Sequence, residues 1–257
     1  MVTPLLELRE VSFAYAEGHW ALRRVSMAVR PGERVALLGP NGAGKSTLLL
    51  IMNGSEKPCA GSVWLDGYQL TGSRDQAPLV RRSIGLLLQD PDDQLIAPTV
   101  EQDVAIGPAL MGAGRIQIRR IVEEALALMN IEHLAHRAVH ELSLGEKKRA
   151  ALAGIVALRP RLLLLDEPTA GLDPAGVKAL ARILDALQEE GTAIVQTTHD
   201  VNLAYEWADS AFIMEGGTVL GGGEAGEVLA NESLLDRAGL DLPLRLQPAV
   251  STRRRLR

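Results

Sequence analysis

Aromatic residues are scarce, with two Phe, three Trp and three Tyr among 257 residues. With a net charge of -5 and no basic stripe, that leaves neither a stacking platform nor an electrostatic footprint for nucleic acid, which is therefore not an expected partner. A single cysteine, Cys59, excludes an intrachain disulfide framework and reads as an inert small side chain. The opening MVTPLLELREV lacks the basic and apolar segments of a secretion signal, so the cytosol is the expected compartment. Long apolar runs are missing too. Stretches such as Ala150 to Leu158 fall well short of the roughly 18 residues that span a bilayer, so any work at a membrane would have to pass through a partner. What remains is enough apolar sequence for one compact domain of ordinary core size with a small appendage.

The most specific stretch present is RVALLGPNGAGKST. Arg34 to Leu38 is a short apolar strand, and Gly39, Pro40, Asn41, Gly42, Ala43, Gly44, Lys45 and Ser46, followed by Thr47, fit G-x-x-x-x-G-K-[ST] at every fixed position. Glycines let successive amides turn inward, and a helix opening at Lys45 aims free N–H groups and its positive dipole end at the same point. A polyphosphate suits that place. Lys45 is expected to reach β- and γ-phosphates, and the Ser46 hydroxyl to ligate Mg²⁺.

Around this loop the chain alternates strands and helices. Leu5 to Phe13 and Val25 to Val29 read as antiparallel strands joined by the polar turn Glu17-Gly18-His19, and Ser62 to Leu65 and Ser83 to Leu88 as further strands. From Pro98 to Glu141 the apolar spacing becomes helical, as at Val100 to Ala105 and Ile118 to Met129. His133, His136 and His140 lie close together there, but without a carboxylate or cysteine at ligand spacing they read as surface histidines. The α/β rhythm returns at Leu162 to Leu165, then a helix from about Asp173 to Glu190, a strand Ala193 to Gln196 and a helix from Asp200. Strands Ala211 to Met214 and Thr218 to Leu220 and a helix start at Asn231 complete it. Continuously apolar strands between helices imply an α/β fold with a mainly parallel sheet covered on both faces.

The leucine strand delivers Asp166 and Glu167 in succession. Beside a P-loop, that pair can divide the labour of nucleotide hydrolysis: Asp166 holds Mg²⁺, and Glu167 orients and deprotonates the attacking water. His199 follows the next strand, at the sheet end where such folds bind ligands, and is placed to hydrogen-bond a γ-phosphate.

Taken together, these motifs resemble the ATP-hydrolysing subunits of ATP-binding-cassette transporters, over about Leu5 to Gly222. In family order come the P-loop, a glutamine loop at Gln89, a signature Leu142-Ser143-Leu144-Gly145-Glu146, the strand ending in Asp166-Glu167, the loop Ala170-Gly171-Leu172-Asp173 and the switch histidine His199. The resemblance implies a cassette over residues 1–222 with an antiparallel β subdomain and a helical subdomain at about 98–158. Residues 223–257 would be a C-terminal extension ending in the basic tail Ser251 to Arg257.

It further implies two cassettes facing head to tail, with ATP between Lys45 of one and Ser143 and Gly145, beside Glu146, of the other. Tyr15 would stack on adenine, Asp173 would touch the opposite protomer, and Gln89 would join Mg²⁺ and water to a membrane partner. Leu144 and Glu146 depart from the commonest signature, which has Gly and Gln. A side chain at Leu144 must point away from phosphate, and Glu146 should oppose the nucleotide unless Lys147, Lys148 or Arg149 offsets it. Gly145 to Arg149, Gln89 to Gln94 and Thr99 to Ala105 are similar to the ATPases of energy-coupling-factor importers, especially those for cobalt or nickel. That branch implies a second ATPase copy, a transmembrane coupling protein and a substrate-binding membrane protein as partners, at the cytoplasmic face of the membrane. Asp90, Asp92 and Asp93 would then lie in the groove where the coupling protein docks.

Overall fold

A computed structural model describes residues 3–15 and 18–247; the basic tail and part of the Glu17-Gly18-His19 turn lie outside them. The chain forms β1 (Leu6–Ala14), β2 (Trp20–Val29), β3 (Arg34–Leu38), α1 (Lys45–Asn53), β4 (Ala60–Leu65), β5 (Tyr68–Leu70), α2 (Ala77–Ser83) and β6 (Ile84–Leu87). Then follow α3 (Val100–Leu110), α4 (Arg115–Leu128), α5 (Leu144–Val156), β7 (Leu162–Leu165), α6 (Pro174–Glu189) and β8 (Ala193–Thr198). The last elements are α7 (Val201–Trp207), β9 (Ser210–Glu215), β10 (Thr218–Glu224), α8 (Ala225–Leu229) and α9 (Glu232–Arg237).

Two sheets result. One is antiparallel, in the order β2-β1-β4-β5; the other runs β10-β9-β3-β8-β7-β6 and is parallel except where β10 pairs with β9. The leucines of β7 show why its strands carry no polar alternation. Leu162 and Leu164 enter the core shared with α1 and the antiparallel sheet, while Leu163 and Leu165 enter the core shared with α5 and α6. All four are fully buried, and each is worth about 1.5–3 kcal/mol of transfer free energy.

A third core lies on the far side of β3 and β9. Ala36, Leu38, Ala211 and Ile213 pack there against Val201, Ala204, Val228, Leu229 and Leu235. The boundary expected at residue 222 falls inside β10, and α8 and α9 belong to this core. Helices α3, α4 and α5 pack on one another and form the helical subdomain.

Because β3, β8, β7 and β6 are adjacent and parallel, the residues just past their C-terminal ends share one edge of the sheet. Those residues are Gly39, His199, Asp166 with Glu167, and Gln89. Among the described residues no helix is long and apolar enough to cross a membrane.

Candidate nucleotide site

The turn from β3 into α1 is shaped by its glycines. Gly39, Gly42 and Gly44 adopt φ of +147°, +79° and +98°, values that a side chain strongly disfavours. A Cβ at Gly39 would strike the Met214 carbonyl oxygen, and one at Gly44 would meet that of Ala21 at 2.5 Å. The loop thus wraps closely over its neighbours and leads into the open N-terminus of α1, an arrangement suited to phosphate. Lys45 is 6% exposed and donates from Nζ to the carbonyls of Gly39 at 2.7 Å and Pro40 at 3.1 Å. Burial pulls its pKa below the ordinary lysine value, and the charges of Glu167 and Asp166 act against that shift. Ser46 is exposed beside it.

Tyr15 flanks the loop. Its hydroxyl is 3.0 Å from Thr47 Oγ1, its ring stands edge-on to Phe13 at 4.9 Å, and half of the residue is open to solvent. An aromatic ring is therefore fixed at the entrance of the phosphate loop with surface free for a planar partner.

Past β7, Asp166 is buried and Glu167 mostly so. Thr197, wholly buried on β8, donates from Oγ1 to Asp166 Oδ1 at 2.6 Å and accepts from the Glu167 N–H at 2.8 Å. Glu167 itself has φ of +44°. Its Oε1 lies 3.8 Å from His199 Nδ1, and the imidazole is exposed. Glu167, His199, Gly39 and Asn41 line a cavity of about 590 Å³ together with Asp241 and Gln247. Asp166, Ser46 and Gln89 offer a carboxylate, a hydroxyl and an amide oxygen, hard-oxygen donors of the kind that suits Mg²⁺, which takes few protein ligands and keeps its waters.

The 142–146 segment does not line that cavity. Ser143 caps α5 through a reciprocal box: its N–H donates to Glu146 Oε2 at 2.7 Å, and its Oγ accepts from the Glu146 N–H at 3.4 Å. These hydrogen bonds hold the Glu146 carboxyl below the usual carboxylate range, helped by the charges of Arg137 and Arg149. Arg137 Nη1 approaches Glu146 Oε1 to 3.6 Å.

The offset expected from Lys147, Lys148 or Arg149 thus comes from Arg149 alone of the three, with Arg137 added. Lys147 pairs with Asp92 at 2.6 and 2.9 Å. Lys148 is buried and donates to the carbonyls of Glu167, Pro168 and Ala170 at 3.3, 3.1 and 2.7 Å. Leu144 leans on the 170–173 loop: its Cδ2 is 2.6 Å from where a Cβ on Gly171 would stand. Asp173 accepts from the Gly176 N–H at 2.6 Å and caps α6.

Gln89 is exposed at the start of its loop, and Asp90 accepts from the Asp92 N–H. His136 Nδ1 is 3.0 Å from Glu101 Oε1, and no group of three or more His, Cys, Asp or Glu suited to a metal occurs among the described residues. Thr197, Lys148 in its carbonyl-binding role, and Arg137 escaped the sequence reading, which named Lys148 only as a candidate offset to Glu146. A threonine pair closing an apolar strand was the available signal for the first, and a lysine four residues before buried Leu152 for the second.

Residues 22–170 match the family described as ABC transporter. The chain is 43% identical over 239 residues to the energy-coupling factor transporter ATP-binding protein EcfA of Methanothermobacter thermautotrophicus, across 93% of this chain and 77% of that one. It is 47% identical over 253 residues to the cobalt import ATP-binding protein CbiO of Rhodobacter capsulatus, across 98% and 90%. Among solved structures, CbiO1 from Clostridium perfringens, part of the transporter complex CbiONQ, superposes with a TM-score of 0.80 at 40% identity over 93% of this chain and 96% of that one. A dimeric ATP-binding cassette in a post-hydrolysis state bound to ADP and Pi superposes at 0.77 with 27% identity, over 86% and 98%.

Proposed function

This chain belongs to the ABC transporter family as an ATP-hydrolysing subunit of the energy-coupling-factor and CbiO type, and from that premise we propose that it powers cobalt or nickel uptake as one half of a homodimer. It would sit at the cytoplasmic face of the membrane against a transmembrane coupling protein and a substrate-binding membrane protein. The cobalt import named for the Rhodobacter relative supports this choice of cargo.

One observation carries the reading. A phosphate loop, a buried Asp166, a Glu167 aimed toward His199 and an exposed Gln89 meet at one sheet edge, while the capped start of α5 at Ser143 lies outside their cavity. A single protomer therefore presents two unlike half-sites. The α5 N-terminus carries amides and a positive dipole end outside the cavity lined by its own loop, and a second copy can receive them against its γ-phosphate.

In the complete seam the amides of 41–45 and the Lys45 ammonium hold the β- and γ-phosphates, and Tyr15 stacks on adenine. Ser46, Gln89 and Asp166 would hold Mg²⁺, which would supply positive charge against that developing on the phosphates. Glu167 takes the proton of the attacking water, and His199 hydrogen-bonds the γ-phosphate. Asp173 meets the opposite protomer, with Leu144 supporting its loop from within. Loss of the γ-phosphate removes the bridge to Ser143 and Gly145, and the halves part.

The test is Glu167→Gln. The expected variant binds ATP, loses about 10²- to 10⁴-fold in turnover, the usual worth of a general base, and elutes as an ATP-locked dimer on sizing chromatography. Turnover near the wild-type rate overturns the role of Glu167. Co²⁺ or Ni²⁺ uptake that does not respond to this lesion in the reconstituted transporter overturns the cargo.

A further inference from the structure

Glu167 carries a backbone conformation that a side chain disfavours, φ +44°, at the position asked to hold a catalytic base. The left-handed region is unfavourable for an L residue, so something must hold the peptide there. Two buried side chains do, one at each end. The Glu167 N–H donates to Thr197 Oγ1 at 2.8 Å from β8, and the Glu167 carbonyl accepts from Lys148 Nζ at 3.3 Å from α5. The same threonine hydroxyl spends its proton on Asp166, and the same ammonium spends its remaining donors on Pro168 and Ala170. Both groups are almost wholly buried, so water does not compete for these bonds.

We infer that Thr197 and Lys148 are positioning residues: they clamp the Glu167 peptide in its left-handed conformation, so that the carboxylate stands where the attacking water will be. The inference rests on the role given to Glu167 above and extends it in one direction. Lys148 grows from the same helix whose first turn carries Ser143 and Gly145. The main chain that holds the base of one half-site is therefore tied to the element that would grip phosphate in the other.

Thr197→Val keeps the shape and suits a buried strand, but removes both hydrogen bonds. Its kcat for ATP should fall about tenfold, the factor given by ~1.4 kcal/mol of lost transition-state stabilisation, with KM for ATP unchanged. Thr197→Ser restores the hydroxyl and should recover kcat. In the Glu167→Gln background, Thr197→Val should still form the ATP-locked dimer, and hydrogen exchange of the segment holding the residue 167 amide should quicken.

Lys148→Met should also lower kcat, and the double variant should lose less than the product of the two, because both act on one peptide. If Lys148→Met does not fold, Lys148→Arg takes its place in the cycle. Wild-type kcat in Thr197→Val, failure of Thr197→Ser to recover it, or losses that simply multiply would each overturn the clamp. A wild-type chain that fails to hydrolyse ATP is a different outcome, because it removes the role of Glu167 and the clamp with it.

Discussion

Ser143 is given two tasks that a single substitution can separate. Within its own protomer it caps α5, and across the seam it would face the γ-phosphate. Its Oγ accepts from the Glu146 N–H at 3.4 Å, a long bond, so Ser143→Ala should cost only about 0.5–1 kcal/mol, near the lower end for an N-cap. For a chain of this size that lowers Tm by about 1–4 °C.

Ser143→Asp restores the cap, because aspartate serves that position as well as serine. It also places a carboxylate where the proposed seam would bring phosphate. At about 4 Å, and with an effective dielectric constant near 20, one pair of like charges costs about 4 kcal/mol, which is about a thousandfold in the ATP concentration needed.

The assay is ATP-driven dimerisation in the Glu167→Gln background by sizing chromatography, with Tm followed alongside. The expected pattern is a crossover: Ser143→Ala loses stability and weakens the dimer modestly, while Ser143→Asp keeps stability and loses the dimer. A Ser143→Asp chain that dimerises at the parental ATP concentration would refute the placement of Ser143 against phosphate.

The remaining tests address charge. The Glu146 carboxyl is depressed by its hydrogen bonds with Ser143, so its contribution to stability is present above the ordinary carboxylate pKa and fades as pH falls through the depressed value. Glu146→Gln keeps the capping box but cannot titrate: Tm at pH 7 should change by less than about 2 °C, while the acid-side fall of Tm becomes shallower than in the parent. Asp92 pairs with Lys147, with the aspartate more than half exposed, so Asp92→Asn should cost no more than about 1 kcal/mol. That cost, read as Tm at low salt, should disappear at about 1 M salt.

Much of the fold was legible because its sheet core is written in uninterrupted apolar strands, and the places where legibility stopped have local causes. The strand expected at Val25 to Val29 in fact begins at Trp20. The pairing of β1 with β2 shifts register between Leu8 and Val11, where Glu10 and Arg24 both have φ of +50°. Each bulge changes the spacing of inward residues from two to three, as between Leu8 and Val11 and between Leu22 and Val25, so a period-two pattern breaks at those points. Strand β5 was invisible for another reason. It is three residues long at a sheet edge, with Tyr68 73% exposed, and carries no buried face to betray it. Helices α2 and α8 are single short runs of seven and five residues, too brief for helical periodicity to emerge.

The candidate site divides the same way. Groups proposed to meet a ligand were legible as candidates, because phosphate chemistry restricts them to a few residue types at fixed spacing. Groups that hold those residues in place were not, since a buried threonine or lysine reveals its partner only when distant strands and helices are brought together.

That division bears on how the seam can be tested at all. Ser143, Asp173 and Asp200 each accept from backbone N–H groups at the start of α5, α6 and α7, so the two residues proposed to act at the seam, Ser143 and Asp173, also cap helices. The coincidence has a physical origin. A helix N-terminus that presents amides to phosphate still has amides left over, and the side chain that satisfies them necessarily stands at the same end. Alanine at Ser143 or Asp173 would therefore remove a cap and a proposed seam group together, and loss of activity could not be apportioned between them. Only substitutions that preserve the cap while changing charge or reach separate the two, and where such a substitution leaves Tm intact and abolishes ATP-driven dimerisation, the residue acts across the seam.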